Sequence, residues 1–168
     1  KYIDFSTLND SKSERLTTNR ILEVPEFLAL KGLIMGILEK CFIEYYGETI
    51  KDNDVVLAES WLNQCDKGGF QYAHNHANSL LSYTLYLNYD FNKGHSPLYF
   101  ERPNSNTSPY FSSLGWTKWT ASRNIFFELE EGDLIVWPSH IFHGYFTNKA
   151  DKRITLSGNA LLRKIYNE

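Results

Sequence analysis

Residues 70–88 have the sequence FQYAHNHANSLLSYTLYLN. Two runs within it, 70–73 and 80–88, are rich in aromatic and aliphatic side chains, and the polar residues between them are typical of a turn. The pattern predicts two successive β-strands. His74 and His76 stand at the end of the first run, two positions apart, so an extended backbone would place both imidazoles on the same face.

Segments of the same kind continue through the rest of the chain. Turn motifs such as Lys67-Gly68-Gly69, Asn92-Lys93-Gly94 and Glu131-Gly132-Asp133 separate nearly all of them. The other strand-like segments lie at 55–62, 97–100, 124–128, 133–137, 144–147 and 153–160. Eight short strands at this spacing predict a mainly β fold, either a sandwich or a barrel.

One helix is predicted before the strands. Pro25 and Glu26 open an apolar segment that continues to Gly47, and proline in a first turn with glycine at the end is typical of a helix. We expect this helix at about 25–46, packed outside a sheet, after an irregular polar arm at 1–22. The sequence has no repeat and no long linker, which favours one domain over 1–168, with arm and helix in 1–50 and the β core in 51–168.

Composition excludes several classes of function. The chain has 168 residues and a net charge of -3 at pH 7, with no block of Lys and Arg, so a nucleic-acid-binding surface is not indicated. No apolar run approaches the roughly 20 residues that span a bilayer, so no membrane association is expected. Cys41 and Cys65 form no CxxC motif, which favours a reduced, cytoplasmic protein.

A third histidine and an arginine extend the candidate site. His143 follows the strand predicted at 133–137 and can complete, with His74 and His76, a three-point face around a divalent metal such as iron, leaving other coordination positions open. Arg153 lies ten residues further on, in another strand-like segment. A fixed guanidinium there could hold the carboxylate of a co-substrate.

The two remaining histidines are given other roles. His140 competes with His143 as a ligand, but we expect it in the turn after Pro138, whereas a strand can continue beyond His143. His95 stands beside Gly94 at a predicted hairpin tip and is expected to be a solvated loop histidine.

Four motifs occur in a fixed order: QYAHNHANS at 71–79, LSYTLYL at 81–87, GDLIVWPS at 132–139 leading to His143, and Asn148 with RITLS at 153–157. Together they resemble the iron(II)- and 2-oxoglutarate-dependent oxygenases, and more narrowly a small group of these found in bacteria and their phages. The resemblance implies a double-stranded β-helix, or jelly roll, with iron(II) and 2-oxoglutarate as cofactors. It also implies an enzyme that uses O2 to couple oxidative decarboxylation of 2-oxoglutarate to hydroxylation of a substrate.

The resemblance also implies roles for individual residues. His74 and His143 would be iron ligands, and Arg153 would pair with the far carboxylate of 2-oxoglutarate, helped by Thr155 and Tyr86. No catalytic residue beyond the metal ligands is implied. The resemblance implies a small-molecule or peptide substrate, and family analogy alone favours a peptide or an amino-acid side chain.

His76 departs from the family pattern. Most members have Asp or Glu two positions after the first histidine, which gives the metal one negative charge. Three neutral imidazoles give none, so the site would be one unit more positive and would favour an anionic co-substrate. We expect His76 to be the third ligand.

The mouth of the barrel is expected to be aromatic. Candidate substrate contacts are Trp61 and Tyr83, together with Trp116 and Trp119 from a long segment at 102–123. Segments of this length in compact domains are often binding loops or lids.

Two other interpretations stay open. The same residues fit a three-histidine metal cupin, a dioxygenase or isomerase that does not use 2-oxoglutarate, although Leu80 and Leu81 stand where a cupin has its glutamate. A jelly-roll binding module without catalysis is the third interpretation, and the complete set of three histidines and Arg153 argues against it.

Overall fold

The computed structural model of the chain describes residues 13–15, 19–47, 55–102 and 124–163. These residues form one α-helix, nine strands and three short 3-10 helices. The α-helix α1 is Leu28–Tyr46, and the 3-10 helices are Ile21–Glu23, Pro25–Phe27 and Phe91–Lys93. The strands are β1 Ser13–Arg15, β2 Val55–Cys65, β3 Gln71–His74, β4 Leu81–Asn88, β5 Leu98–Glu101, β6 Asn124–Phe126, β7 Leu134–Pro138, β8 His143–Tyr145 and β9 Arg153–Leu162.

The strands form two antiparallel sheets. One has the order β1-β2-β9-β4-β7 and the other has the order β3-β8-β5-β6. This is the double-stranded β-helix that the sequence motifs imply. All eight predicted strands are present, and the predicted helix corresponds to α1 with the 3-10 turn before it. The expectation of a wholly irregular arm at 1–22 is wrong, because β1 pairs with the end of β2 and Arg20 forms a bridge to Ser60.

Helix α1 covers the outer face of the larger sheet. Its buried side chains are Ile34, Leu38 and Phe42, which recur every four residues and so lie along one stripe. They pack in one cluster with apolar residues of the sheet, including Leu81 and Leu156. Burial of each such side chain stabilises the fold by roughly 1.5–3 kcal/mol. One face of the larger sheet therefore packs against α1, and the other face points towards the smaller sheet.

Strand β9 shows how the two faces of the larger sheet differ. Its residues alternate in direction, as strand residues do, and Leu156 and Ala160 point into the cluster beneath α1. The intervening buried residues point to the opposite face and are all polar: Arg153, Thr155, Ser157 and Asn159. A buried polar row of this kind is stable only when its members find hydrogen-bond partners, and it lies where the two sheets face each other.

A second apolar cluster fills part of the space between the sheets. It contains Cys65, Leu98, Phe100, Trp137 and Tyr145, which come from both sheets. Neither cysteine of the chain forms a disulfide. Among the described helices, none has the length and apolar character needed to cross a membrane.

Candidate metal centre and its cavity

Three histidines meet at one end of the space between the sheets. His74 is the last residue of β3 and His143 the first residue of β8, and the two are direct partners across that antiparallel pair. His76 follows β3 by two residues, and its backbone N–H donates to the carbonyl of Ser139 at 2.9 Å. One ring nitrogen from each histidine lies within 4.8 Å of the others. This spacing suits three imidazoles around one metal ion.

Main-chain hydrogen bonds orient two of these rings. The Nδ1–H of His74 donates to the carbonyl of Tyr72, and the Nδ1–H of His143 donates to the carbonyl of Ile141, each at 3.0 Å. A carbonyl oxygen only accepts, so each Nδ1 carries the proton and each Nε2 keeps its lone pair. Both rings are thus fixed in the tautomer that binds a metal through Nε2.

Side chains hold the third ring. His76 Nε2 lies 3.3 Å from His143 Nε2, while its Nδ1 lies 3.4 Å from Nδ2 of Asn159. That amide also donates to Glu59 at 3.3 Å and accepts from Ser82 at 2.8 Å. A metal on His76 Nε2 leaves the proton on Nδ1, so coordination by His76 requires the amide of Asn159 to present its oxygen to this ring.

Burial favours the neutral form of His143 and of His74. It lowers the pKa of His143 to about 3, with the nearby charges of His74 and His76 as further, smaller causes, and a main-chain hydrogen bond opposes the shift. Burial also lowers the pKa of His74. Neutral imidazoles at physiological pH have their Nε2 lone pairs free, so a metal ion does not have to displace protons.

The histidines line a cavity of about 460 Å³ between the two sheets. Its other walls come mainly from the polar face of the larger sheet and from the interior cluster. The residues that line it include Trp61, Asn63, Trp137, Arg153 and Thr155. Trp61 lies beside the histidines, with its ring 6.2 Å from that of His76.

Arg153 lies in the same cavity and is 2% exposed. Its Nε donates to the carbonyl of Ser96 at 2.8 Å, and the guanidinium lies over the rings of Tyr86 and Tyr145, at 5.4 and 4.5 Å from their centroids. Its Nη2 has no hydrogen-bond partner among the residues that the structure describes. A buried cationic donor without a partner in a cavity wall suits an anionic ligand.

Asn148 fixes the peptide that holds Arg153. Its side-chain oxygen accepts the backbone N–H of Ser96 at 2.9 Å, and its amide nitrogen donates to the carbonyl of Cys65 at 2.9 Å. The backbone of Ser96 is therefore bound by Asn148 at its N–H and by Arg153 at its carbonyl. The sequence motifs include Asn148, but they gave it no role, because Ser96 and Cys65, which it joins, are distant from it in the sequence.

The two ends of the cavity have a defined separation. His143 and Tyr145 belong to β8, so they are two residues, or roughly 7 Å, apart along one strand. The guanidinium of Arg153 lies against Tyr145 and the metal ligands surround His143. The chain thus places a three-histidine centre and a buried cation against residues that lie two positions apart on β8.

The remaining predicted residues fall into three groups. Thr155 lines the cavity beside Arg153, as the strand period predicts. Tyr83 also borders the cavity, but its ring lies in the cluster beneath α1. Tyr83 and Tyr86 are three residues apart on β4, so the alternation of side chains along a strand already places their rings on opposite faces of the sheet. Trp116 and Trp119 lie outside the described residues.

The other two histidines lie apart from the centre. His140 is exposed in the turn after β7, as predicted. The prediction that His95 is solvated is wrong, because His95 is 5% exposed. Its Nδ1 accepts the backbone N–H of Asp90 at 3.0 Å and its Nε2–H donates to the carbonyl of Asp151 at 2.9 Å. It cross-links two loops, and no local sequence signal reveals that contact.

Comparison with known proteins adds a family match. Residues 59–159 match the family described as "Putative 2OG-Fe(II) oxygenase". No curated protein matches the chain significantly in sequence.

Solved structures support the same fold. One is an oxidoreductase of the 2OG-Fe(II) oxygenase family from Burkholderia pseudomallei, at 14% identity over 89% of this chain and 66% of that one, with a TM-score of 0.58. Another is a Pseudomonas putida prolyl-4-hydroxylase, at 15% identity over 90% of this chain and 71% of that one, with a TM-score of 0.55. HygX from Streptomyces hygroscopicus, solved with nickel and 2-oxoglutarate, is similar at 9% identity over 90% and 70% of the two chains, with a TM-score of 0.60. The chain spans about two thirds of the length of these structures, and at such identities the likeness concerns the fold.

Proposed function

Since the chain belongs to this family of 2OG-Fe(II) oxygenases, whose cofactors are iron(II) and 2-oxoglutarate, we propose that it couples oxidative decarboxylation of 2-oxoglutarate to hydroxylation of a small-molecule or peptide substrate. The juxtaposition of three histidines with a buried, partly unpaired arginine in one cavity carries this proposal. Iron(II), when bound, supplies the oxidative chemistry with O2, while the protein binds, orients and excludes water.

His74, His76 and His143 are the proposed iron ligands. Imidazole suits iron(II), and three of them on one face leave positions for a chelating co-substrate and for O2. The two main-chain hydrogen bonds to Nδ1 keep the His74 and His143 rings from rotating. Since these ligands add no negative charge, the near carboxylate of 2-oxoglutarate would offset part of the charge of iron(II), while the far carboxylate would pair with Arg153.

Arg153 is the proposed anchor for the far carboxylate of 2-oxoglutarate, and Thr155 is a further donor on the same face of β9. Burial raises the pKa of Tyr86, so its hydroxyl stays protonated and neutral beside the guanidinium. With its hydroxyl oxygen accepting the backbone N–H of Leu98 at 3.1 Å, Tyr86 holds its ring against Arg153. The anchor is therefore rigid before the co-substrate arrives.

A substrate would approach the histidines past Trp61, the side chain that lies beside His76. Trp61 and Asn63 offer an apolar surface and an amide on the same face of β2. We propose Trp61 as a substrate contact, and the predicted contacts from Trp116 and Trp119 remain predictions.

Anaerobic titration tests the proposed function. Iron(II) and then 2-oxoglutarate are added to protein treated with a chelator, and the visible metal-to-ligand charge-transfer band of the chelate is monitored. We expect a band with wild type and none with His143→Ala. Stoichiometric iron binding with no band on adding 2-oxoglutarate would favour the three-histidine cupin, and no iron binding would favour a binding module.

A further inference from the structure

Besides Arg153, two buried donors that border the cavity have no hydrogen-bond partner among the described residues: the hydroxyl of Tyr83 and the indole of Trp137. Trp137 on β7 is 6% exposed and lines the same cavity as the three histidines. Its indole Nε1–H is buried and has no hydrogen-bond partner in the described part of the chain. Buried N–H groups in folded proteins nearly always have an acceptor, so an unpaired one in a cavity wall points to an acceptor on a ligand.

Trp137 stands at the histidine end of the cavity. Its ring is 4.8 Å from that of His143, at an angle of 64°. On β4 its partner is Ser82, four residues from Tyr86, and Tyr86 is the residue that lies against Arg153. Four residues of a strand span roughly 13 Å. Trp137 Nε1 and Arg153 Nη2 are therefore separated along the cavity.

We propose that the indole Nε1–H of Trp137 donates a hydrogen bond to the near carboxylate of 2-oxoglutarate, the one adjacent to the keto group. This inference rests on the proposed function, in which Arg153 takes the far carboxylate. In such a complex the near carboxylate would bind the metal through one oxygen, and its other oxygen would remain available as a hydrogen-bond acceptor. Trp137 is the unpaired donor whose ring lies against His143, whereas the ring of Tyr83 lies in the cluster beneath α1. A hydrogen bond to a charged acceptor is about twice as strong as a neutral one.

The burial of Trp137 indicates that the acceptor of its N–H belongs to the co-substrate and not to the substrate. Trp137 belongs to the interior apolar cluster with Leu98 and Phe100, and its ring packs on that of Phe100 at 5.2 Å. The proposed anchor, Arg153, is buried to a similar degree. Both donors thus lie in the buried wall of the cavity, where a molecule that binds before the substrate would be held.

Trp137→Phe tests the inference with two probes. 2-Oxoglutarate has both carboxylates, whereas 2-oxopentanoate has the same five-carbon chain and near carboxylate but a methyl group at the far end. Each is titrated anaerobically into the iron(II)-loaded protein, and the charge-transfer band gives its Kd. We expect Trp137→Phe to weaken both probes by a similar factor, roughly 10- to 100-fold, with iron affinity unchanged.

Tyr45→Phe is the control, because it removes an aromatic hydrogen-bond donor from an exposed side chain of α1 that does not line the cavity. It should leave the Kd of both probes within about twofold. Arg153→Ala should weaken 2-oxoglutarate and leave 2-oxopentanoate nearly unaffected, which separates the two ends of the co-substrate. Equal 2-oxoglutarate affinity in wild type and Trp137→Phe would overturn the inference.

A second measurement uses the unmodified protein, so it does not depend on how the variant folds. The chain has four tryptophans and hence four indole N–H signals in a nitrogen-15 spectrum of the zinc(II)-loaded protein. Comparison with Trp137→Phe, or with the other three tryptophans replaced one at a time, identifies the signal of Trp137. Both probes should move that proton downfield, and an unmoved signal in the presence of bound 2-oxoglutarate would overturn the inference.

The outcomes separate this inference from the proposed function. If wild type gives no charge-transfer band and binds no 2-oxoglutarate, the proposed function fails. If wild type binds 2-oxoglutarate while the Trp137 signal and the Kd of Trp137→Phe stay unchanged, only the role of Trp137 fails.

Discussion

Replacement of Arg153 by alanine is expected to weaken 2-oxoglutarate binding by roughly 30- to 1,000-fold. The guanidinium is 2% exposed, and its Nη2 has no partner among the described residues, so its contact with a carboxylate would be sheltered from water. A charge-assisted contact of this kind contributes on the order of 2–4 kcal/mol, which gives the stated factor at 25 °C. The higher value applies if the planar guanidinium binds both carboxylate oxygens.

The same substitution also has a structural effect. It removes the donor to the carbonyl of Ser96 and the contacts with the rings of Tyr86 and Tyr145. Loss of a buried hydrogen bond costs about 1–3 kcal/mol of folding free energy. Thermal unfolding must therefore accompany the binding assay, so that the loss of affinity is measured on folded protein.

The assay is the anaerobic titration of 2-oxoglutarate into iron(II)-loaded protein, with iron content measured separately. Iron affinity should stay nearly unchanged, because Arg153 does not belong to the histidine cluster. Arg153→Lys should recover only part of the lost affinity, since an ammonium group does not reproduce the planar pair of donors. Arg163→Ala removes an exposed arginine just beyond β9 and serves as the matched control. Wild-type affinity in Arg153→Ala would refute the assignment of the anchor and remove the main reason to prefer an oxygenase over a cupin.

Three further predictions concern the histidines. Alanine at His74, His76 or His143 should remove most iron binding, measured as metal content after desalting. His140→Ala should keep the iron. Full iron affinity in His76→Ala together with loss of iron in His140→Ala would contradict the ligand set. His76→Asp should keep iron bound, because a carboxylate restores the donor set common in this family, and loss of the metal there would mean that position 76 is not a ligand. In chelator-treated protein, the depressed pKa of His143 favours the folded state above the ordinary histidine pKa of about 6.5, and this stability should be lost as pH falls from there towards about 3. The free energy of unfolding, measured with urea at several pH values, should fall less steeply with decreasing pH in His143→Gln than in wild type. His140→Ala serves as the control.

Much of the fold follows from local sequence patterns. The period of two in apolar residues places each strand, and Pro25 and Gly47 bracket the helical segment, because these signals depend only on neighbouring residues. The same period places His74 and His76 near each other and puts Arg153 and Thr155 on one face of β9. The short β1 was missed because three polar residues carry no such period, and its pairing comes from β2.

The sequence by itself determined the strands, the helix, the histidine pair and the family motifs, since each rests on residues close together in the chain. Only the tertiary structure brought His143 to within 3.3 Å of His76 across 67 residues, because sheet pairing sets that contact. It also buried His95 between two loops and joined Asn148 to the peptide that holds Arg153. The unpaired donors of Arg153 and Trp137 could be recognised only there, since whether a buried polar group has a partner depends on every element packed around it.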